Sequence, residues 1–223
     1  MKDNSLARLG GMCSILVGIS YVVVGISYIL LPPAQKATAG TDRFLYSAAQ
    51  DATMISIQYW AFALGAILAL AAVPAISERV RSANEGWIRW MSNLALVGFA
   101  VTAVNYLRLV TVTPDRAAVF AVGDEMTRKA ISWSQIGLDP NGWLGFGCVG
   151  AWVLVVSVLA LRTNVLPKLI CYLGIVIAIA YWLVVAGFVF NFETLVAVAA
   201  GIGGVILGPI WYIWTGLKLR QAS

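Results

Sequence analysis

Six stretches of about 20 consecutive apolar residues, none interrupted by more than an occasional charge, dominate this chain, and each is long enough to cross roughly 30 Å of hydrocarbon as a helix. They run Gly11 to Leu31, Met54 to Ile76, Ile88 to Val112, Gly142 to Leu161, Leu169 to Phe190 and Thr194 to Lys218. Blocks of this length without charge are read as membrane-spanning helices. The expected fold is therefore all-α. It is a polytopic membrane helix bundle of six transmembrane helices in one domain, 1–223, with short interfacial helices in the external loops. Of 223 residues, 61% are hydrophobic and 11% charged, against roughly 25% charged in a soluble domain.

The first stretch could be read as a secretory signal, with Ala37-Thr38-Ala39 resembling a cleavage site. It is longer than the roughly 7 to 15 residues of a signal core, and we read it as a retained helix. Pro32-Pro33 stops it, Asn84-Glu85-Gly86 marks a turn before the third span, and Asp139-Pro140-Asn141-Gly142 turns the chain into the fourth.

The net charge of +5 comes from cations placed between apolar blocks, which fits membrane topology and not nucleic-acid binding. Lys2, Arg8, Arg79, Arg81, Arg89, Arg162, Lys168, Lys218 and Arg220 fall on one side, nine in all, against five on the other, Lys36, Arg43, Arg116, Arg128 and Lys129. The positive-inside rule then places both termini in the cytoplasm. Arg8, Arg89 and Lys168 each lead a span entering from that side, an echo that either three related hairpins or topology alone would produce.

Thr113 and Pro114 are suited to start a short helix ending near Gly123, and Asp124 a second one, with Glu125 and Lys129 spaced i, i+4 and a stop by Gly137. Met126, Ala130 and Trp133 would share one face of it, either as a lid over the bundle mouth or resting on lipid headgroups. Gly11, Ser14, Gly18 and Gly25 give the first span a smooth seam, and Gly201, Gly204 and Gly208 do the same for the sixth, with a kink expected at Pro209. Such faces also suit protein partners. Trp143 belongs at the external interface, and Trp211, Tyr212 and Trp214 at the cytoplasmic one.

Polar residues inside the spans are the candidates for a site. Centred near residue 100, the third span puts Arg108 about 12 Å from the midplane at 1.5 Å per residue. That is within reach of the external headgroups by snorkelling, and far cheaper than the roughly 3 kcal/mol of a central charge. Asn105 is its i, i+3 neighbour, and Gln58 and Tyr28 lie at similar depth. Facing inward, Tyr28, Gln58, Asn105 and Arg108 would line a ligand-binding pocket open to the outside. Asp51 and Glu193 are placed either to pair with Arg108 or to leave it for an anion. A lipid phosphate, a carboxylate or a quinone carbonyl would suit those donors. Alternatively Arg108 bonds a neighbouring helix or headgroup and binds nothing.

The chain has no histidine. That removes His-ligated haem, His-based zinc hydrolysis and Ser-His-Asp catalysis together. There is no Walker loop, no GxSxG elbow and no lysine inside a span, and no cofactor or metal is expected. Cys13, Cys148 and Cys171 are odd in number and unpaired in spacing, as packing residues are. The reading that follows is a non-enzymatic protein that binds a lipid-like or amphipathic small molecule, or serves as a subunit or sensor of a membrane complex. The alternative is a small-molecule transporter or channel, which would need inward polar residues beyond the midplane. In the cytoplasmic half the polar candidates are mainly Ser14, Ser92 and Asn93, too few for such a pathway.

The stretches "GWLGFGCVGAWVLVVSVLALRTNVLPKLICYLGIVIAIAYWL" and "GVILGPIWYIWTGLKL", from Gly142 and Gly204, add a resemblance. A helix ending in Arg162, a turn carrying Leu166, Pro167 and Lys168, and a last helix with Pro209 and Trp211 are similar to a bacterial family of six-helix membrane proteins, the domain-of-unknown-function type numbered 4386. The resemblance implies a six-helix fold in a bacterial cytoplasmic membrane and implies no activity.

Overall fold

The structure, a computed structural model, describes residues 5–36, 39–134 and 137–221. Lys2 and the Ala37-Thr38 pair of the cleavage-like stretch lie outside them. Six helical spans are long and apolar enough to cross a membrane, and no strand occurs among the described residues. The first span is α1, Ser5–Leu30, followed by a 3₁₀ turn at Pro33–Gln35 and a short α2, Thr41–Gln50. Then come α3, Thr53–Val80, and α4, Glu85–Val122, with α5, Glu125–Trp133, after it. A π-helical stretch, Trp143–Cys148, leads into α6, Val149–Thr163, and α7 is Lys168–Val189. The last span joins α8, Glu193–Ala200, a π-helical stretch Gly201–Leu207, and α9, Gly208–Gln221. The spans are apolar on nearly every face, as lipid-embedded helices are, whereas α2 and α5 are strongly amphipathic.

The bundle has two ends. The loop end carries residues 31–52, 123–142 and 190–192; the turn end carries the tight connections 81–84 and 164–167.

At the turn end α1 lies between α3 and α9 because its small residues admit both backbones. A side-chain carbon at Gly11 would sit 2.9 Å from the Gly216 carbonyl, and one at Gly18 2.8 Å from the Pro209 carbonyl. Between them Ser14 Oγ donates to the Tyr212 carbonyl at 2.6 Å. The first-span seam therefore receives the last helix. In the sixth span the close approaches are made by Gly216, to α1, and by Gly203, to Ala180, whereas Gly201 and Gly204 face open space and Gly208 meets the Gly203 carbonyl of its own span.

The aromatic anchors expected at the cytoplasmic end turn out differently. Trp211 and Tyr212 are 1% and 2% exposed, and Trp211 packs edge-on with both Tyr212 and Trp152 in the core. The reason is backbone width. The Gly208 N–H reaches back five residues to the Gly203 carbonyl, and this wide turn just before Pro209 rotates the large rings of α9 inward. Trp214 stays half-buried, and Trp87 and Trp90, about half exposed and in mutual contact, lie on the surface at this end together with Tyr172.

Polar contacts there are internal and local. Ser77 Oγ accepts the Trp152 indole N–H at 2.9 Å and lies 2.7 Å from Ser92 Oγ, which itself donates to the Ile88 carbonyl at 2.6 Å. Ser77→Ala leaves the buried indole N–H unpaired, and we expect a loss of about 1–3 kcal/mol. Thermal melting in detergent measures it; a parent-like midpoint would argue that the indole finds another acceptor.

The third span corrects the sequence reading. No separate helix begins at Thr113: α4 runs unbroken through Pro114 to Val122, about 57 Å at 1.5 Å per residue. Pro114 withholds an N–H, but the turns after it are held by α2. Leu45 and Ala48 pack on Ala117 and Phe120 in a small second core, with Phe44 and Ile131 at its edge. Arg128 ties α5 to the same turns by donating to the Phe120 and Ala121 carbonyls. The α5 start agrees with expectation, since the Asp124 carboxylate accepts the Thr127 N–H at 2.8 Å and Glu125 pairs with Lys129 at 2.7 Å. Hydrogen bonds from the Thr127 side chain and backbone hold the Asp124 carboxyl below its usual range. Met126 and Trp133 of α5 are exposed.

Candidate functional site

All six spans contribute to one cavity of about 740 Å³, five of them from the loop-end half and α4 from its middle, Phe99 to Tyr106. The shape follows from where side chains are small and where they are large. Toward the turn end Ala69, Ala72, Val73, Trp152, Val156, Trp211 and their neighbours close-pack into the main core. Toward the loop end Gly142, Gly145, Gly201 and Gly204 border the cavity and the helices leave a gap.

Aromatic rings form its wall. Tyr21 meets Phe62 edge-on, Phe62 stacks on Tyr106 at 4.3 Å, and Tyr106 touches Tyr59. Across the cavity Phe146 contacts both Tyr181 and Phe188. Tyr21 also touches Tyr212, so the aromatic wall runs continuously into the packed core below.

Gln58 and Asn105 lie on this wall, with Tyr28 nearer the mouth. Gln58 is buried, and its Nε2 reaches the Val24 carbonyl only at 3.5 Å, the outer limit of a hydrogen bond. Tyr28 carries the Lys36 ammonium 5.6 Å over its ring. Arg108, one turn beyond Asn105, is exposed and is not among the lining residues. The structure thus brings Tyr28, Gln58 and Asn105 to one cavity and leaves Arg108 outside it.

The loop-end approach is built by two turns. At Asp139-Pro140-Asn141-Gly142 the glycine takes φ +67°, a left-handed conformation that favours glycine, and the Asp139 carboxylate accepts the N–H groups of Leu144 and Gly145 at 2.9 and 2.7 Å. The carboxylate caps the fourth span and borders the cavity at once. At the other turn, Gln35 Nε2 donates to the Asp51 carbonyl at 2.7 Å and to Ser47 Oγ at 3.2 Å, while its Oε1 is buried without a partner. Asp51 spends its carboxylate on the Thr53 N–H at 2.8 Å. Bonds from the Thr53 backbone and hydroxyl hold that carboxyl below its usual range. Glu193 borders the cavity and takes part in none of the ion pairs formed among the described residues.

Sequence reasoning missed Gln35, Asp139 and most of the aromatic wall. Tyr21, Tyr59, Tyr106 and Tyr181 carried a usable signal: each is a phenol placed well inside an apolar span, where its hydroxyl needs company.

The fold and this cavity define a multi-pass α-helical membrane protein, hollow at one end. The chain belongs to the family described as domain of unknown function (DUF4386), whose profile matches residues 12–216. No curated protein and no solved structure matches it.

Proposed function

We propose that this protein is a non-enzymatic binder of a lipid-like or amphipathic small molecule, seated in the bacterial cytoplasmic membrane with both termini in the cytoplasm and the cavity opening outward. The observation that carries the reading is the one-sided hollow. A space of about 740 Å³ falls in the range of small-molecule sites, roughly 300–1,000 Å³, and combines an apolar aromatic wall with a few polar groups, as such sites do. Tyr28, Gln58 and Asn105 are its polar contacts. Arg108 lies outside the cavity, so Arg108→Ala should change retention of the co-purified molecule less than Asn105→Leu does.

A conducting or transporting path would need polar lining through the turn-end half. That half is filled by Trp152, Val153, Val156 and Trp211; Ser14, Ser77 and Ser92 bond to backbone or to each other, and the polar atoms of Ser157, Trp211, Tyr212 and Thr215 that are buried without a partner are enclosed in it and do not border the cavity. The binding reading is therefore preferred to the transport reading. Serving as a subunit or sensor is compatible with it, and the exposed apolar helix faces are in contact with lipid.

Mass spectrometry of whatever small molecule leaves the membrane with the purified protein tests the reading. We expect a defined amphiphile at near-stoichiometric amount; recovery of bulk lipid in membrane proportions only would count against it. Orientation is tested separately. Single cysteines at Arg81 and Asp124, in a background without Cys13, Cys148 and Cys171, should label from opposite sides, Asp124 from outside. Labelling of both from one side overturns the topology.

A further inference from the structure

The charges bordering the cavity are of one sign. Asp139 and Glu193 are the formally charged side chains of its lining among the described residues, and no lysine or arginine joins them. Of the basic residues of the loop end, Arg116 and Arg128 bond backbone carbonyls of the loops, Lys129 pairs with Glu125, and Lys36 lies over the Tyr28 ring at the mouth. An anion entering would meet the half-buried Asp139 carboxylate and the exposed Glu193 carboxylate, both of which repel it.

Acceptors there also lack donors. Glu193 has no ion-pair partner among the described residues, and the Asp139 bonds to the Leu144 and Gly145 N–H groups both fall on Oδ2. Gln35 is held with its amide nitrogen toward the Asp51 carbonyl, which accepts only, so its Oε1 cannot be exchanged for the nitrogen by a flip and stays unpaired. The wall adds the negative π-faces of tyrosine and phenylalanine, which attract cations. Lys36 over Tyr28 already shows an ammonium held by one of these rings.

We infer that the ligand is a cationic amphiphile, a hydrophobic amine or ammonium. Its head lies at the Asp139 and Glu193 end and its apolar body among Tyr21, Phe62, Tyr106 and Phe146. This rests on the binding function proposed above and reverses the charge expected from Arg108. A phosphate, carboxylate or quinone head lacks the positive charge that these carboxylates call for.

The test uses the full chain in phosphatidylcholine nanodiscs and three probes that share one apolar body: 4-phenylbutylamine, 4-phenylbutanol and 4-phenylbutyrate. Binding is read by equilibrium dialysis as the excess over Gly204→Trp discs, in which the cavity is filled. We expect the amine to bind about tenfold more tightly than the alcohol, the acid to bind weakest, and Glu193→Gln to bring the amine down to the alcohol's level. Asp139→Asn, which keeps an acceptor for the helix cap, should narrow the same margin. Equal binding of all three probes, or preference for the acid, overturns the charge assignment and leaves a ligand cavity in place. Binding of no probe above the filled-cavity discs overturns both the charge assignment and the binding function.

Discussion

Gly204→Trp is expected to strip the purified protein of its co-purifying small molecule, by at least about tenfold in recovered amount, without loss of fold. Gly204 borders the cavity, and a side-chain carbon there meets nothing nearer than a Tyr181 ring carbon at 4.0 Å. An indole can therefore grow from this position into empty space and displace a ligand without pushing helices apart. Filling an apolar hollow also restores dispersion contacts that its lining lacks, so the variant should melt no lower than ligand-stripped parent. Gly203→Trp is the contrasting variant. Its first carbon would lie 2.7 Å from the Ala180 side chain and 3.3 Å from the Tyr181 ring, and it should fail to accumulate. Native mass spectrometry and thermal melting read both effects. Equal ligand recovery from Gly204→Trp and parent would mean that the bound molecule sits elsewhere.

The second large effect is expected at Gly98, where α4 passes the start of the fourth span. A side-chain carbon there collides with the Leu144 carbonyl, a backbone atom that cannot rotate aside. That backbone is pinned in turn by the left-handed Gly142 and by the two N–H bonds to Asp139. Overpacking of this kind costs about 1–3 kcal/mol or more, and Gly98→Val should exceed the lower part of that range and abolish accumulation at growth temperature. On the same helix Gly86→Ala meets only Asn84 Oδ1 at 3.8 Å, and the gain in helix propensity should make it neutral or mildly stabilising. Comparable melting of the Gly98 and Gly86 variants would refute the account of the α4 crossing.

The architecture was legible from the sequence because lipid leaves little choice. Uncharged runs of such length have to be helices, so the six spans from Gly11 to Lys218 coincide with observed ones to within a few residues at most ends. The seam at Gly11, Ser14, Gly18 and Gly25 was legible for a similar reason, since regular small residues on one helix face admit another backbone. What escaped depended on contacts remote in sequence. Pro114 signals a helix start by local rules, but α2 packing on Ala117 and Phe120 carries α4 straight through it. Trp211 and Tyr212 signal an interface, but the wide turn at Gly201–Leu207 turns them inward. Of the candidate site, Gln58, Asn105 and Tyr28 were found because polar groups in apolar spans stand out. Asp139 and Gln35 lie in loops, where polar residues are ordinary, and only the fold brings them to the cavity. Arg108 shows the converse, a conspicuous charge whose side chain is exposed on the outside of the wall.

The packing of Trp152, Val156 and Trp211 below the aromatic wall has a consequence for exchange. Under the binding function proposed above, a vessel closed at its base would fill and empty through a single neck, and its occupancy would follow the compartment that neck faces.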